Sequence, residues 1–224
     1  YKHDAPFKLE SGAELTELEI AYYTYGNLNT AQDNVIWVCH ALTANADAAD
    51  WWNGLIGEAK LFDPKEHFIV CANIIGSCYG STGPTSINLA TGKPYGKDFP
   101  LVTIRDMVKV HQLLQKHLAV NKIKLAIGGS MGGQQVLEWA ISDPELFENI
   151  VLLATNARHS PWGIAFNEAQ RMAITADPTI YEDTPEAGQR GIEAARAIAM
   201  LSYRHYQTYH KTQSEETDEK IDDF

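Results

Sequence analysis

Positive charge is scarce in this sequence. Its 18 lysines and arginines face 29 aspartates and glutamates, leaving a formal net charge of -11 over 224 residues. With no basic stripe to release counterions from phosphates, a nucleic-acid partner is not expected, and an anionic substrate needs a local basic pocket. Long apolar runs are missing as well. No stretch approaches the roughly 20 residues that span a bilayer, and the first residues, Tyr1-Lys2-His3-Asp4-Ala5-Pro6, lack the apolar core of a secretory signal. The expectation is therefore a cytoplasmic protein with no membrane partner. Cysteine is rare: Cys39, Cys71 and Cys78 make an odd number without metal-ligand spacing, so they read as reduced core thiols and no metal is expected. Repeats and low-complexity tracts are absent.

What is present is enough apolar residue, 45% of the chain, to bury an ordinary core in one domain or one domain with an insertion. Apolar runs that read as strands lie at Leu18 to Tyr25, Val35 to His40, Phe68 to Ile75, Lys124 to Gly128 and Asn149 to Ala154. Several are apolar throughout, as in strands covered on both faces. Between them the segment Ile104 to Leu118 sets Met107, Val110, Leu113, Leu114 and Leu118 at helical spacing behind a capping Thr103. Strands alternating with helices predict an α/β protein with a mostly parallel sheet and flanking helices. After Ala154 no convincing strand follows. Residues 1–155 thus read as the core and 156–224 as a helical element, in which Gly188 to Tyr203 carries a stripe of Ile192, Ala195, Ile198, Ala199 and Ser202. The acidic Ser214 to Phe224 reads as a fraying end.

One motif carries chemistry. Gly128-Gly129-Ser130-Met131-Gly132-Gly133 follows a strand and opens a helix, the pattern of a nucleophile elbow in which glycines let a sharp turn and a close helix coexist. Ser130 then stands proud as a nucleophile for acyl transfer, and the Met131 N–H, at a helix N-terminus, can bind a developing oxyanion. The second oxyanion donor is expected from the loop after an earlier strand, the N–H of Leu42 in Val38-Cys39-His40-Ala41-Leu42-Thr43. His40 reads either as a base or, favoured by its place beside that loop, as a brace. The later histidines, His159, His205 and His210, do not follow strands of the required kind. The glycine-rich Asn73 to Pro84 lacks the lysine of a phosphate loop and reads as a structured turn. Trp51-Trp52 reads as core before ligand platform.

Together with Cys39 to Thr43 and the elbow, the segments Trp51 to Gly57, Gly80 to Pro84 and Asp98 to Asp106 resemble those of homoserine O-acetyltransferases, members of the α/β-hydrolase superfamily. The resemblance covers nearly the whole chain. It implies an α/β-hydrolase fold with the start of a helical lid, and a ping-pong route in which acetyl passes from acetyl-CoA, as co-substrate, to Ser130 and then to the homoserine hydroxyl on the way to methionine. No bound cofactor is implied. Leu42 and Met131 match the oxyanion donors, and Arg196 and Tyr203 match the residues that recognise the amino acid. A seven-residue step puts those two on one helix face, and a guanidinium suits a carboxylate. A homodimer through the lid helices is also implied.

The resemblance carries a departure. Members of the family continue past the length of this chain with the last sheet strands, a catalytic aspartate and a histidine, none of which has a matching position here. The expectation is a C-terminally truncated chain, inactive alone, with Asn149 to Ala154 uncovered as an edge strand. Alternatives left open are a related acyltransferase with a succinyl donor or serine acceptor, an esterase, and a non-catalytic truncated module.

Overall fold

The computed structural model describes residues 1–182 and 184–213; the acidic segment Ser214 to Phe224 lies outside the described residues. The chain divides into two compact units, Tyr1–Ala157 and Arg158–Phe224.

The first unit is built on a five-stranded sheet. Its strands are β1 (Tyr22–Tyr25), β2 (Val35–Cys39), β3 (Phe68–Ala72), β4 (Leu125–Gly129) and β5 (Ile150–Leu153), in the spatial order β5-β4-β2-β3-β1. Four run parallel, and β1 is an antiparallel edge on β3. The central strands β2 and β3 are buried at every position, which is why their sequences, Val-Ile-Trp-Val-Cys and Phe-Ile-Val-Cys-Ala, do not alternate with polar residues. Their side chains instead alternate between two apolar clusters. Val35, Trp37 and Cys39 join Met107, Val110, Leu114, Val136 and Trp139 on one face; Ile36 and Val38 join Ala46, Ala48, Ile56 and Phe62 on the other.

The first face is covered by two helices, α1 (Ile104–His117) and α2 (Met131–Ser142), which pack on each other, with α2 also against β2, β4 and β5. Thr103 caps α1 through a reciprocal capping box: its hydroxyl accepts from the Asp106 N–H, and the Asp106 side chain accepts from the Thr103 N–H. Such caps are worth about 1 kcal/mol.

The run Leu18 to Tyr25, read as one strand, is two. Leu18–Glu19 pairs with Lys2–His3 in a separate ribbon, whereas Tyr22–Tyr25 joins the main sheet. The glycine-rich loop bonds the backbone on both sides of the break: the Glu19 N–H donates to Thr82 Oγ1 at 2.8 Å, the Thr82 N–H to the Glu19 carbonyl at 2.9 Å, and the Ala21 N–H to Ser81 Oγ at 3.0 Å. That loop is a structured turn, as read. The thiol reading needs one correction. Cys39 and Cys71 are buried, and burial raises both thiols, but Cys78 is exposed on this loop.

The edge strand β5 shows its apolar side chains: Ile150, Leu152 and Leu153 are 37–40% exposed.

The second unit holds the helices α3 (Pro161–Thr175), α4 (Gln189–Ser202) and α5 (Tyr206–Gln213). Ser160 caps α3, accepting from the Gly163 N–H at 3.1 Å. The expected stripe on α4 holds at Ala195, Ile198 and Ala199, but its first position is Gly191 and not Ile192, and Ser202 is exposed. Gly191, Ala195 and Ala199 are buried, whereas Ile192 is exposed. The packing against α3 is a backbone approach: a Cβ on Gly191 would lie 2.9 Å from the Ala173 carbonyl oxygen and from Ile174 Cα. Asp177 ties the start of α4 to this hairpin by accepting from the N–H groups of Thr179 and Gly191, both at 2.9 Å. No helix among the described residues is long and apolar enough to cross a membrane.

Candidate active site

Ser130 joins β4 directly to α2. Its backbone lies at φ 53°, ψ −121°, a region that costs a non-glycine residue on the order of 1–3 kcal/mol and persists only where surroundings over-determine it. They do so here. The Ser130 N–H donates to the Leu153 carbonyl at 2.9 Å, extending the β4–β5 ladder by one residue. The Ser130 carbonyl accepts from Thr155 Oγ1 at 2.7 Å and from the Gly133 N–H at 3.0 Å. The side chain itself is exposed, and within residues 1–157 its hydroxyl has no hydrogen-bond partner among the described residues.

The flanking glycines have steric reasons. A Cβ on Gly128 would sit 2.3 Å from the Gly132 carbonyl oxygen, because helix and strand fold back on each other across the serine. A Cβ on Gly132 would sit 2.0 Å from the Cys39 carbonyl oxygen and 3.0 Å from that of His40. The second figure places the first turn of α2 against the end of β2, where the loop His40 to Thr43 begins. The parallel register Gly128↔Cys39 brings the two strand ends level. Sheet order thus gathers Ser130, Met131 and the start of the Leu42 loop at one end of the sheet, the carboxyl ends of the adjacent strands β4 and β2.

Two amide N–H groups of these segments have no acceptor among the described residues. The Met131 N–H is the first of α2 and has no intrahelical acceptor, and the Leu42 N–H makes no hydrogen bond among the described residues. The positive end of a helix of 12 residues adds its dipole at Met131.

His40 is the brace. It is fully buried, its Nδ1–H donates to the Ala41 carbonyl at 2.8 Å, and its Nε2 accepts from the Ile74 N–H at 3.2 Å. Both ring nitrogens are occupied. Burial holds its pKa below the usual histidine value, partly offset by the Ala41 bond, so it stays neutral and is not a free base. Trp51 and Trp52 are half-buried against the second core cluster, their rings 4.8 Å apart.

Arg196 and Tyr203 lie in the other unit. Tyr203 follows the last residue of α4 at helical angles (φ −77°, ψ −19°), so the seven-residue step keeps both on one face. Both are exposed, and Arg196 forms no ion pair among the described residues. Tyr203 lines a recess with Trp162, Phe166, Leu201 and Tyr206.

Three residues that the sequence reading passed over support the elbow: Thr155, which holds the Ser130 carbonyl, and the buried pair His111 and Gln135, whose bonds are described below. His111 had a signal. It falls at the fourth position after Met107 on the inward stripe of α1, where a polar residue is out of place.

Residues 34–211 match the family model described as alpha/beta hydrolase fold. The homoserine O-acetyltransferase of Cyclobacterium marinum is 56% identical over 216 residues, which are 96% of this chain and 61% of that protein. The crystal structure of homoserine O-acetyltransferase from Bacillus anthracis superposes with a TM-score of 0.86 at 26% identity, over 95% of this chain and 62% of the other. Esterase E22 superposes with a TM-score of 0.84 at 28% identity, again over 95% of this chain and 62% of the other. The chain therefore spans about three-fifths of the proteins it matches.

Proposed function

From the premise that this chain belongs to the α/β-hydrolase fold family, we propose that the whole protein is a homoserine O-acetyltransferase acting through an acetyl-serine intermediate. The observation that carries this is Ser130, exposed on a strained elbow at the first amide of a helix, in a chain 56% identical to a protein of that activity. In the first half-reaction the Ser130 oxygen attacks the thioester carbonyl of acetyl-CoA. The new C–O bond forms as the carbonyl oxygen takes up negative charge between the Leu42 and Met131 amides, and the C–S bond then breaks to release CoA with the serine proton. In the second, the homoserine hydroxyl attacks the acetyl-serine and Ser130 is regenerated. Arg196 pairs with the substrate carboxylate, and Tyr203 shares that recognition.

The proton transfers need a base. Within residues 1–157 the buried histidines His40 and His111 are committed to other bonds, and no described residue there bonds the serine hydroxyl. The 224 residues alone are therefore proposed to be inactive, since a serine without its base retains only oxyanion and binding effects. The exposed Trp162, Ile192, Met200 and Leu201 on the helices support a homodimer through the second unit, to be checked by sedimentation. The free thiol of Cys78 supports a reducing, cytoplasmic setting.

The test is CoA release by the whole protein given acetyl-CoA and homoserine. Release should depend on homoserine and vanish in Ser130→Ala; unchanged release in that variant would refute the proposal. A second reading, a carboxyl esterase, is favoured by the superposition on esterase E22; it predicts hydrolysis of acetyl esters at the same rate with or without homoserine.

A further inference from the structure

Behind Ser130 lies a buried polar chain that the acyl-transfer steps leave unused. Gln135, one turn past Met131 on α2, is fully buried, and so is His111 on α1. Trp37 Nε1–H donates to His111 Nδ1 at 3.3 Å. Because an indole nitrogen only donates, Nδ1 accepts and Nε2 carries the ring proton. His111 Nε2–H then donates to Gln135 Oε1 at 2.9 Å. That fixes the amide orientation, since the flipped form would set donor against donor. The Gln135 nitrogen is left to donate to the carbonyls of Met131 at 3.2 Å and His40 at 3.3 Å. Burial also lowers the His111 pKa to about 4, which keeps the ring neutral and this sequence of donors unchanged at neutral pH. Stacking on Trp139 at 5.5 Å holds the ring plane.

The two carbonyls belong to different elements. One follows Met131 in the first turn of α2, and the other ends β2 where the Leu42 loop begins. The geometry points to Gln135 as a positioning residue for acylation of Ser130: by tying the His40 and Met131 carbonyls together, and itself held by His111 and Trp37, it sets the gap between the Leu42 and Met131 amides. This rests on the acyl-transfer reading of Ser130. The packing of Gly132 on Cys39 keeps these elements from coming closer; the glutamine keeps them from drifting apart.

The experiment uses the whole protein and a fluorophosphonate probe, which bonds to the serine oxygen with loss of fluoride and needs no acceptor substrate. Gln135→Met keeps side-chain length and removes all three bonds. Gln135→Glu keeps the acceptor for His111 and loses both donors, and it serves if the methionine variant does not fold. In each, the expected result is an acylation rate per titrated serine lower by about 10- to 100-fold, with close to one serine still labelled per chain at completion. A merely structural glutamine would instead lower the labelled fraction and leave the rate per labelled site at the parental value, and that result overturns the inference. His111→Phe combined with Gln135→Met should slow acylation no further than Gln135→Met alone, because the two act in one chain; additive losses would also count against it. Failure of the acetyltransferase reading is separate, appearing as no homoserine-dependent CoA release from the unsubstituted protein while the labelling comparison stands.

Discussion

The contact between Gly132 and the end of β2 can be tested by adding one methyl group. In Gly132→Ala the new Cβ would lie 2.0 Å from the Cys39 carbonyl oxygen, and since such contacts essentially never fall under 3.0 Å, backbone must part by about 1 Å. Both partners are main chain, in a helix and at a buried strand end, so no side-chain rotation relieves the clash. Two effects oppose each other in stability. Alanine favours the helix by about 1 kcal/mol, and overpacking a close-packed interior costs about 1–3 kcal/mol. The net is a loss of up to about 2 kcal/mol, a fall in melting temperature of a few degrees for a protein of this size. Rate should suffer more, because the displaced groups are the Met131 turn and the Leu42 loop, and a 1 Å misplacement can cost about 100-fold. Calorimetry and fluorophosphonate labelling of the same sample measure the two separately. Labelling at the parental rate with an unchanged melting temperature would show that the elbow helix and the end of β2 are not in contact as described.

Three further outcomes are expected. Ser130→Gly and Ser130→Ala should both lose CoA release, but the glycine variant should be the more stable by about 1 kcal/mol in denaturant titration, because φ 53° strains alanine and not glycine; equal stabilities would mean the elbow is unstrained. His111 has a folded pKa of about 4, set mainly by burial, below the unfolded value near 6.5. The unfolded chain therefore takes up the proton first, and stability present above pH 6.5 should fall by up to about 3 kcal/mol as pH drops towards 4. His111→Phe should flatten that decline in urea titrations between pH 7 and pH 4. In the whole protein Arg196→Ala should raise the KM for homoserine about 10- to 100-fold, the worth of a charged pairing, while the labelling rate of Ser130 stays unchanged.

Legibility of these features in the sequence followed from whether local pattern decides them. The strands β2 and β4 and the elbow were readable because burial on both faces and a glycine-spaced serine leave few alternatives. The Thr103 cap was readable because its partner Asp106 is three residues away. The split of Leu18 to Tyr25 was not, since it goes with bonds from Thr82 and Ser81, some sixty residues distant, to the backbone of Glu19 and Ala21. On α4 the stripe was legible at Ala195, Ile198 and Ala199 but not at its start, where apolar size draws attention to Ile192 and close helix packing selects the residue without a side chain, Gly191. Gln135 was invisible for another reason: of the adjacent Gln134 and Gln135, composition cannot tell which turns inward, and only the carbonyls of His40 and Met131 make the inward one useful.

Both buried histidines within residues 1–157 are committed to structural bonds. His40 spends both nitrogens holding the Leu42 loop to Ala41 and Ile74, and His111 spends both on orienting Gln135 through Trp37. Each is kept neutral by burial, and a neutral ring with a single proton holds a fixed donor–acceptor direction that a charged one would lose. These groups therefore supply geometry, not proton transfer. What they fix in place are the segments that, on the function proposed above, would hold the oxyanion next to a strained serine. If Ser130 acts as proposed, its base must approach from the exposed face of the elbow, because the buried face is already filled by backbone and by the chain from Trp37 to Gln135.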